Sequence, residues 1–269
     1  MAQTVGSPAM DRYEVEAFNT ATASTNKIHD DAVAKGLGFR GGLVPGVDVF
    51  AYLTHPPAAR WGRAWLDGGW INARFASPVY DGDTVTVQSE PDGDGLSMRV
   101  VDSDGNECAT ATAGLGAGNT MVVPERPEPE PPLPKASPET FAAFPDGVLG
   151  SLEYGFHADR HGEYLADVRE TLPLYRDDGV AHPGWLLRMA NYALSRNVQL
   201  GPWIHVGSDV NLHRAVEDGE YVQVRSRVTA VTERKGHRFV ELDVAYLVDA
   251  DTLVATVHHT AIYEPRARR

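Results

Sequence analysis

The sequence predicts an α+β fold made of two repeats, each a long helix packed on an antiparallel sheet, and three observations carry that expectation. The hydrophobic period twice switches from about 3.6 to about 2 residues along the chain. The two halves share landmarks: Pro45-Gly46 and Pro183-Gly184 stand 138 residues apart, and Asp81-Gly82 and Asp218-Gly219 stand 137 apart. Between the halves lies Val123–Pro138, with seven prolines interleaved with acidic residues. Repeated proline removes backbone donors and favours extended geometry, so this segment is neither a helix nor a central strand. Two matched landmarks, each followed by the same pattern, indicate an internal duplication. The expected organisation is an N-terminal repeat over residues 1–122, a proline-rich linker over 123–138 and a C-terminal repeat over 139–269. A surface crossover pressed against a single domain is the other reading of the proline segment.

The elements follow in order. A first strand is expected near Tyr13–Ala17, then a polar loop, Thr20–Asp31, and a small helix. A glycine-rich approach, Gly36–Gly46, leads into a helix from Val47 to about Tyr52, cut short by His55-Pro56-Pro57. Val85 and Val87 alternate with Thr84, Thr86 and Gln88 as a strand, and Glu107–Leu115 forms another. Tyr164–Val168 reads as a strand in the second half. Gly184–Asn197 reads as a helix, with Trp185, Leu186, Met189, Ala190, Ala193 and Leu194 on one face and Pro183 at its start. Tyr221–Val228, Arg238–Val244 and Leu253–Ile262 read as strands. The turns Asp92–Gly95 and Arg234–His237 make hairpins. An amphipathic helix covering one face of a curved sheet completes each α+β layer.

Composition bounds the function. Lys plus Arg is 24 and Asp plus Glu is 37, a formal net charge of -13, which argues against nucleic acid as a partner. With one cysteine, Cys108, there is neither an intrachain disulfide nor a CxxC site. Cys108 reads as packing rather than a nucleophile. No run of eighteen apolar residues and no signal-like N-terminus is present, so the expectation is a soluble, cytoplasmic protein without a membrane partner. The pair His157 and His161 lacks a third ligand at a useful spacing and a helical apolar face, and His258-His259 lie in an alternating strand, so no metal site is expected.

Chemistry concentrates between residues 20 and 46. Gly41, Gly42 and Gly46 let the backbone approach a ligand at a helix start. Free amides there can stabilise a developing oxyanion. His29 lies seventeen residues before Gly46 and can act as a general base toward a water. Arg40 reads either as a solvated charge or as a phosphate contact. Phe50, Tyr52, Trp61, Trp65 and Trp70 read as core and interface packing, or as an apolar lining for an acyl chain.

The run Ser24-Thr25-Asn26-Lys27-Ile28-His29, then Gly38-Phe39 and Gly42-Leu43-Val44-Pro45-Gly46, resembles the MaoC-like family of hotdog-fold acyl-thioester dehydratases, the (R)-specific enoyl-CoA hydratases. Arg74-Phe75-x-x-Pro78-Val79-Tyr80-x-Gly82-Asp83 is similar to the strand following the family's helix. The resemblance implies a double hotdog, its second repeat degenerate, closing the sheet and shaping the pocket. It implies reversible hydration of a trans-2-enoyl thioester to the (R)-3-hydroxyacyl form, on CoA or a carrier, with no cofactor. His29 would be the base, Asn26 the orienting residue and the Gly46 amide the carbonyl donor. Gly42, Val44, Arg40, Phe50 and Trp70 would bind substrate, and a homodimer is a possible assembly. Ser24 stands where the family has an aspartate and cannot take up a proton near neutral pH, a loss of ~10²–10⁴-fold where it matters. Asp30, Asp31 or Asp48 is the candidate replacement, with Asp48 also able to cap its helix. A hotdog thioesterase, a pathway-specific thioester dehydratase or cyclase, and a non-catalytic acyl-thioester binder or structural hotdog protein remain alternatives.

Overall fold

A computed structural model describes residues 10–116 and 118–266. In chain order the N-terminal half runs β1 (Asp11–Glu16), α1 (Asp31–Gly36), α2 (Gly46–Trp61), α3 (Arg63–Leu66), β2 (Gly69–Phe75), β3 (Thr84–Asp92), β4 (Gly95–Val101) and β5 (Glu107–Leu115). The C-terminal half runs α4 (Pro138–Ala142), β6 (Leu152–Gly155), α5 (Ala158–Asp167), α6 (Leu174–Asp177), α7 (Pro183–Ser195), β7 (Ile204–Leu212), β8 (Tyr221–Arg234), β9 (His237–Val248) and β10 (Thr252–Glu264).

Among the described residues all strands join one antiparallel sheet of ten, in the order β1-β3-β4-β5-β2-β7-β10-β9-β8-β6. Read outward from its centre, each half contributes the same topology, so the repeats are related by a pseudo-two-fold axis at the β2–β7 pairing. That pairing runs in register from Trp70 opposite Asn211 to Arg74 opposite Gly207. Alternation explains the strands: β3 buries Val85, Val87 and Ser89 while the residues between them are half-buried or exposed. The sheet wraps α2 and α7, which bury Val47, Phe50, Leu53, Leu187, Ala190 and Leu194 against it. The two helices meet closely at Gly184, where an added Cβ would lie 3.0 Å from the Ala51 methyl.

Two expected elements differ. Helix α2 does not stop at His55 but continues through Pro56 and Pro57 to Trp61. Proline removes two helical donors, yet Pro57 and Ala58 are buried and the His55 imidazole is held by Glu170 at 2.9 Å. Tertiary contact therefore carries the turn past the break. Tyr164–Val168 is not a strand: it ends α5, whose buried His161, Tyr164 and Leu165 recur at helical spacing. The short apolar run resembled a strand only because the histidine completing that face is polar. The proline-rich segment lies along the second half. Arg126 donates to the Val148 carbonyl (2.5 Å), and Ser151 N–H donates to the Arg126 carbonyl (3.0 Å).

Candidate functional site

The loop between β1 and α2 folds around Asn26. Its backbone N–H donates to Ser24 Oγ (3.1 Å), and its side-chain oxygen accepts from Ile28 N–H (3.3 Å), capping a short 3₁₀ turn over Lys27–His29. The same side chain reaches the second repeat: Oδ1 accepts Trp203 N–H (3.1 Å) and Nδ2 donates to the Trp203 carbonyl (2.9 Å). Asn26 is thus buried and its amide orientation is fixed by a backbone pair 177 residues away.

His29 is fixed from the other side. Its Nδ1–H donates to the Leu43 carbonyl at 2.7 Å, which leaves Nε2 as the lone-pair nitrogen, 3.4 Å from Asn26 Nδ2. Burial lowers the imidazole pKa below its ordinary value, opposed by the Leu43 bond and by the charge of Asp48, so the ring is neutral near pH 7. Gly42 passes so close that an added Cβ would lie 2.2 Å from the His29 carbonyl oxygen; only glycine fits there.

His29, Asn26, Leu43, Val44 and Gly46 line one cavity of about 210 Å³. Phe75, at the end of β2, and Pro78 and Val79, in the segment after it, add an apolar wall, and Trp203, His205, Ile262 and Asn191 enter from the second repeat. Gly46 opens α2 after Pro45, and neither its N–H nor that of Val47 has a protein acceptor among the described residues. The cavity therefore combines a neutral imidazole, a free helix N-terminus and an apolar interior. Among the described residues no carboxylate lines it.

Several expected site residues lie elsewhere. Ser24 Oγ accepts the Asn26 N–H, and the residue does not line the cavity. Asp30 caps α1 through Ala32 and Val33 N–H. Asp31 accepts from Gly42 N–H (2.8 Å) and pairs with Lys35 on the surface, and these contacts lower its pKa. Asp48 neither caps α2 nor faces the cavity. It is fully buried, accepting from Thr20 Oγ1 (2.6 Å) and from Arg188 of α7 (2.8 Å), because its side chain points from the first turn into the α2–α7 interface. Arg40 is exposed, pairs with Asp83 and lies over the Tyr80 ring. Phe50 is sealed in the core, and the Trp70 ring covers Gly114.

In the second repeat the corresponding helix start is filled. His182 caps α7 by accepting Gly184 N–H at 3.0 Å, and a Cβ on Gly184 would lie 2.4 Å from the Tyr164 hydroxyl. Glu170 bonds His55 and faces His182, which together hold its carboxyl down at about 2 against the opposing effect of burial.

His205, Asn191 and Trp203 were not singled out from the sequence. Nothing in a single repeat marks them; they reach the cavity only through the β2–β7 pairing and the crossing of α7. Phe75 and Val79 were legible, inside the Arg74–Asp83 run.

No protein-family model matches the chain, and no curated protein matches it. Solved structures do match in shape. A MaoC domain protein from Chloroflexus aurantiacus J-10-fl superposes with a TM-score of 0.65 at 12% identity, covering 99% of this chain and 100% of that one. Rv0216 from Mycobacterium tuberculosis, which has a double hotdog fold, gives 0.65 at 14% identity, with 96% of each chain covered. A MaoC-like dehydratase gives 0.59 at 11%, covering 94% of this chain and 98% of that one. At these identities the likeness defines the fold: this chain is a double hotdog.

Proposed function

We propose that this protein is a MaoC-like enzyme that reversibly hydrates an acyl thioester, trans-2-enoyl to (R)-3-hydroxyacyl, with CoA or a carrier as the thiol. The first repeat supplies the catalytic groups and the second shapes the pocket. The observation that carries this reading is the state of His29: one nitrogen tied to a backbone carbonyl, the other an acceptor nitrogen held by a long, 3.4 Å contact from the Asn26 amide, in a cavity that also holds the open end of α2.

In the hydration direction His29 Nε2 takes a proton from water as the water oxygen bonds to the β-carbon. The electron pair of the double bond moves toward the thioester oxygen, which the Gly46 N–H stabilises. His29 then returns the proton to the α-carbon on the same face. Syn addition allows one imidazole to serve as base and then acid, so the serine at position 24 leaves no step without a proton carrier. Asn26 holds the His29 turn against Trp203. No resident cofactor is invoked.

The test is hydration of trans-2-enoyl-CoA thioesters of short and medium chain, followed by loss of the conjugated absorbance, with His29→Ala alongside. Turnover by the wild type and a ~10²–10⁴-fold loss in a folded variant are expected. Absorbance loss accompanied by an equal release of free thiol would replace this reading with a thioesterase. Binding with no turnover would replace it with an acyl-thioester binder.

A further inference from the structure

The chain leaving β1 is bonded both to the residue that carries the base and to the first turn of α2. Asn19 is buried, and its backbone N–H donates to Asp81 Oδ1 at 2.7 Å. Its side-chain oxygen accepts the Ala21 N–H (3.0 Å), and Nδ2 donates to the His29 carbonyl (3.1 Å). A backbone N–H can only donate and a carbonyl can only accept, so these two partners fix which way the amide points. The same carbonyl is crowded by Gly42, where no Cβ would fit. The next residue, Thr20, reaches the helix: its hydroxyl donates to Asp48 Oδ2 (2.6 Å) and accepts from Arg188 Nη2 (3.2 Å). Asp48 lies two residues past Gly46, and its own N–H donates to the Pro45 carbonyl at 2.9 Å.

Asn19 and Thr20 are joined by one planar peptide that keeps their Cα atoms ~3.8 Å apart. One short, stiff unit therefore ties the His29 backbone to the helix turn that offers the Gly46 N–H. We propose that Asn19 and Thr20 are positioning residues that set the separation between the His29 imidazole and the open start of α2. This rests on the hydration reading above. Hydration needs the base at the β-carbon and the amide at the thioester oxygen at the same time, and a displacement of ~1 Å costs up to ~10²-fold in rate. Neither residue lines the cavity, so neither touches the substrate or takes a proton from it.

Two near-isosteric variants test this. Asn19→Asp keeps the oxygen that takes the Ala21 N–H but sets a second oxygen against the His29 carbonyl. Thr20→Val removes only the hydroxyl, and it keeps the test open should Asn19→Asp fail to fold. Hydration of trans-2-butenoyl-CoA gives kcat, and calorimetry with the unreactive butyryl-CoA gives Kd. Each variant should lose ~10–100-fold in kcat while Kd stays within about twofold. Nitrogen NMR of the imidazoles, with the His29 signals assigned from His29→Gln, gives a readout that needs no turnover. The wild type should hold its proton on Nδ1, as the Leu43 carbonyl demands, and Asn19→Asp should release the ring so that the two tautomers average. An unchanged kcat in both folded variants overturns the inference and leaves the hydration reading standing. So does a loss of kcat matched by an equal weakening of butyryl-CoA binding, which would mean general loosening of the pocket. A wild type that binds or ignores the thioester without hydrating it overturns the reading beneath. The His29 tautomer then decides alone: averaged in Asn19→Asp it keeps Asn19 as the residue that positions the ring, and unchanged it removes that role too.

Discussion

The histidines buried in the core make this fold acid-labile at an unusually high pH. His161, His205 and His259 are each no more than 5% exposed. Burial lowers all three, His161 and His259 to about 3 and His205 well below its ordinary value. Unfolded, each titrates near ~6.5. Below that pH the unfolded chain therefore binds protons that the native state refuses. The stability these groups leave intact is complete above pH ~6.5 and falls as pH drops from there toward their native values. Each contributes a slope of about 1.4 kcal/mol per pH unit, so three give about 4 kcal/mol per unit and about 6 kcal/mol by pH 5. Against a typical total of roughly 5–15 kcal/mol, that approaches global unfolding. Glu170, held at about 2, adds its own loss only further down, below its unfolded value of 4.5. Urea unfolding followed by tryptophan fluorescence at pH 7.5, 6.5, 6.0 and 5.5 measures the slope directly. His259→Leu should shed about one proton from it. A stability that is flat between pH 7.5 and 5.5 would refute the claim that these rings are neutral and sealed.

Further predictions concern the repeat interface and the candidate base. Arg188→Met strands the buried Asp48 carboxylate and should cost about 3–5 kcal/mol in chemical denaturation, with the double variant Arg188→Met/Asp48→Leu recovering most of the loss. Asn26→Leu leaves the Trp203 N–H unpaired and should cost about 2–3 kcal/mol, with a larger effect on turnover than on folding because His29 loses its neighbour. The rate of hydration should rise with pH through a single ionisation below 6.5 and stay level above it, since burial lowers His29 and the neutral ring is the active form. A rate that climbs through pH 8 would point to another base.

The duplication was readable because the Pro-Gly and Asp-Gly landmarks carry local backbone demands that survive when side chains diverge. The strands were readable from period-two alternation, as in β3 and β8. What escaped depends on the other repeat. Proline at positions 56 and 57 ends a helix by local rules, and only the contacts of Pro57, Ala58 and His55 carry it onward. Asp48 looks like a helix-start carboxylate until Arg188, 140 residues later, turns it inward. Asn26, His29 and Gly46 were legible by spacing and do meet at one cavity, whereas Ser24, Phe50 and Trp70 share the neighbourhood in sequence and not in space. His205 and Asn191 had no signal at all, since neither has a neighbour in sequence that shares its role.

The Asn26–Trp203 clamp also sets a clock. At synthesis rates of roughly 5–20 residues per second, the asparagine emerges some 10–35 s before the backbone it must hold. During that interval β2, destined for the middle of the sheet, is a bare edge with no β7 to cover it. A nascent chain stalled within the second repeat would thus display an unpaired strand and an open helix start together, making it a target for chaperones or for misassembly with a neighbouring copy. Because β7 both covers that edge and brings His205 over Gly46, closing the sheet and completing the cavity are one event.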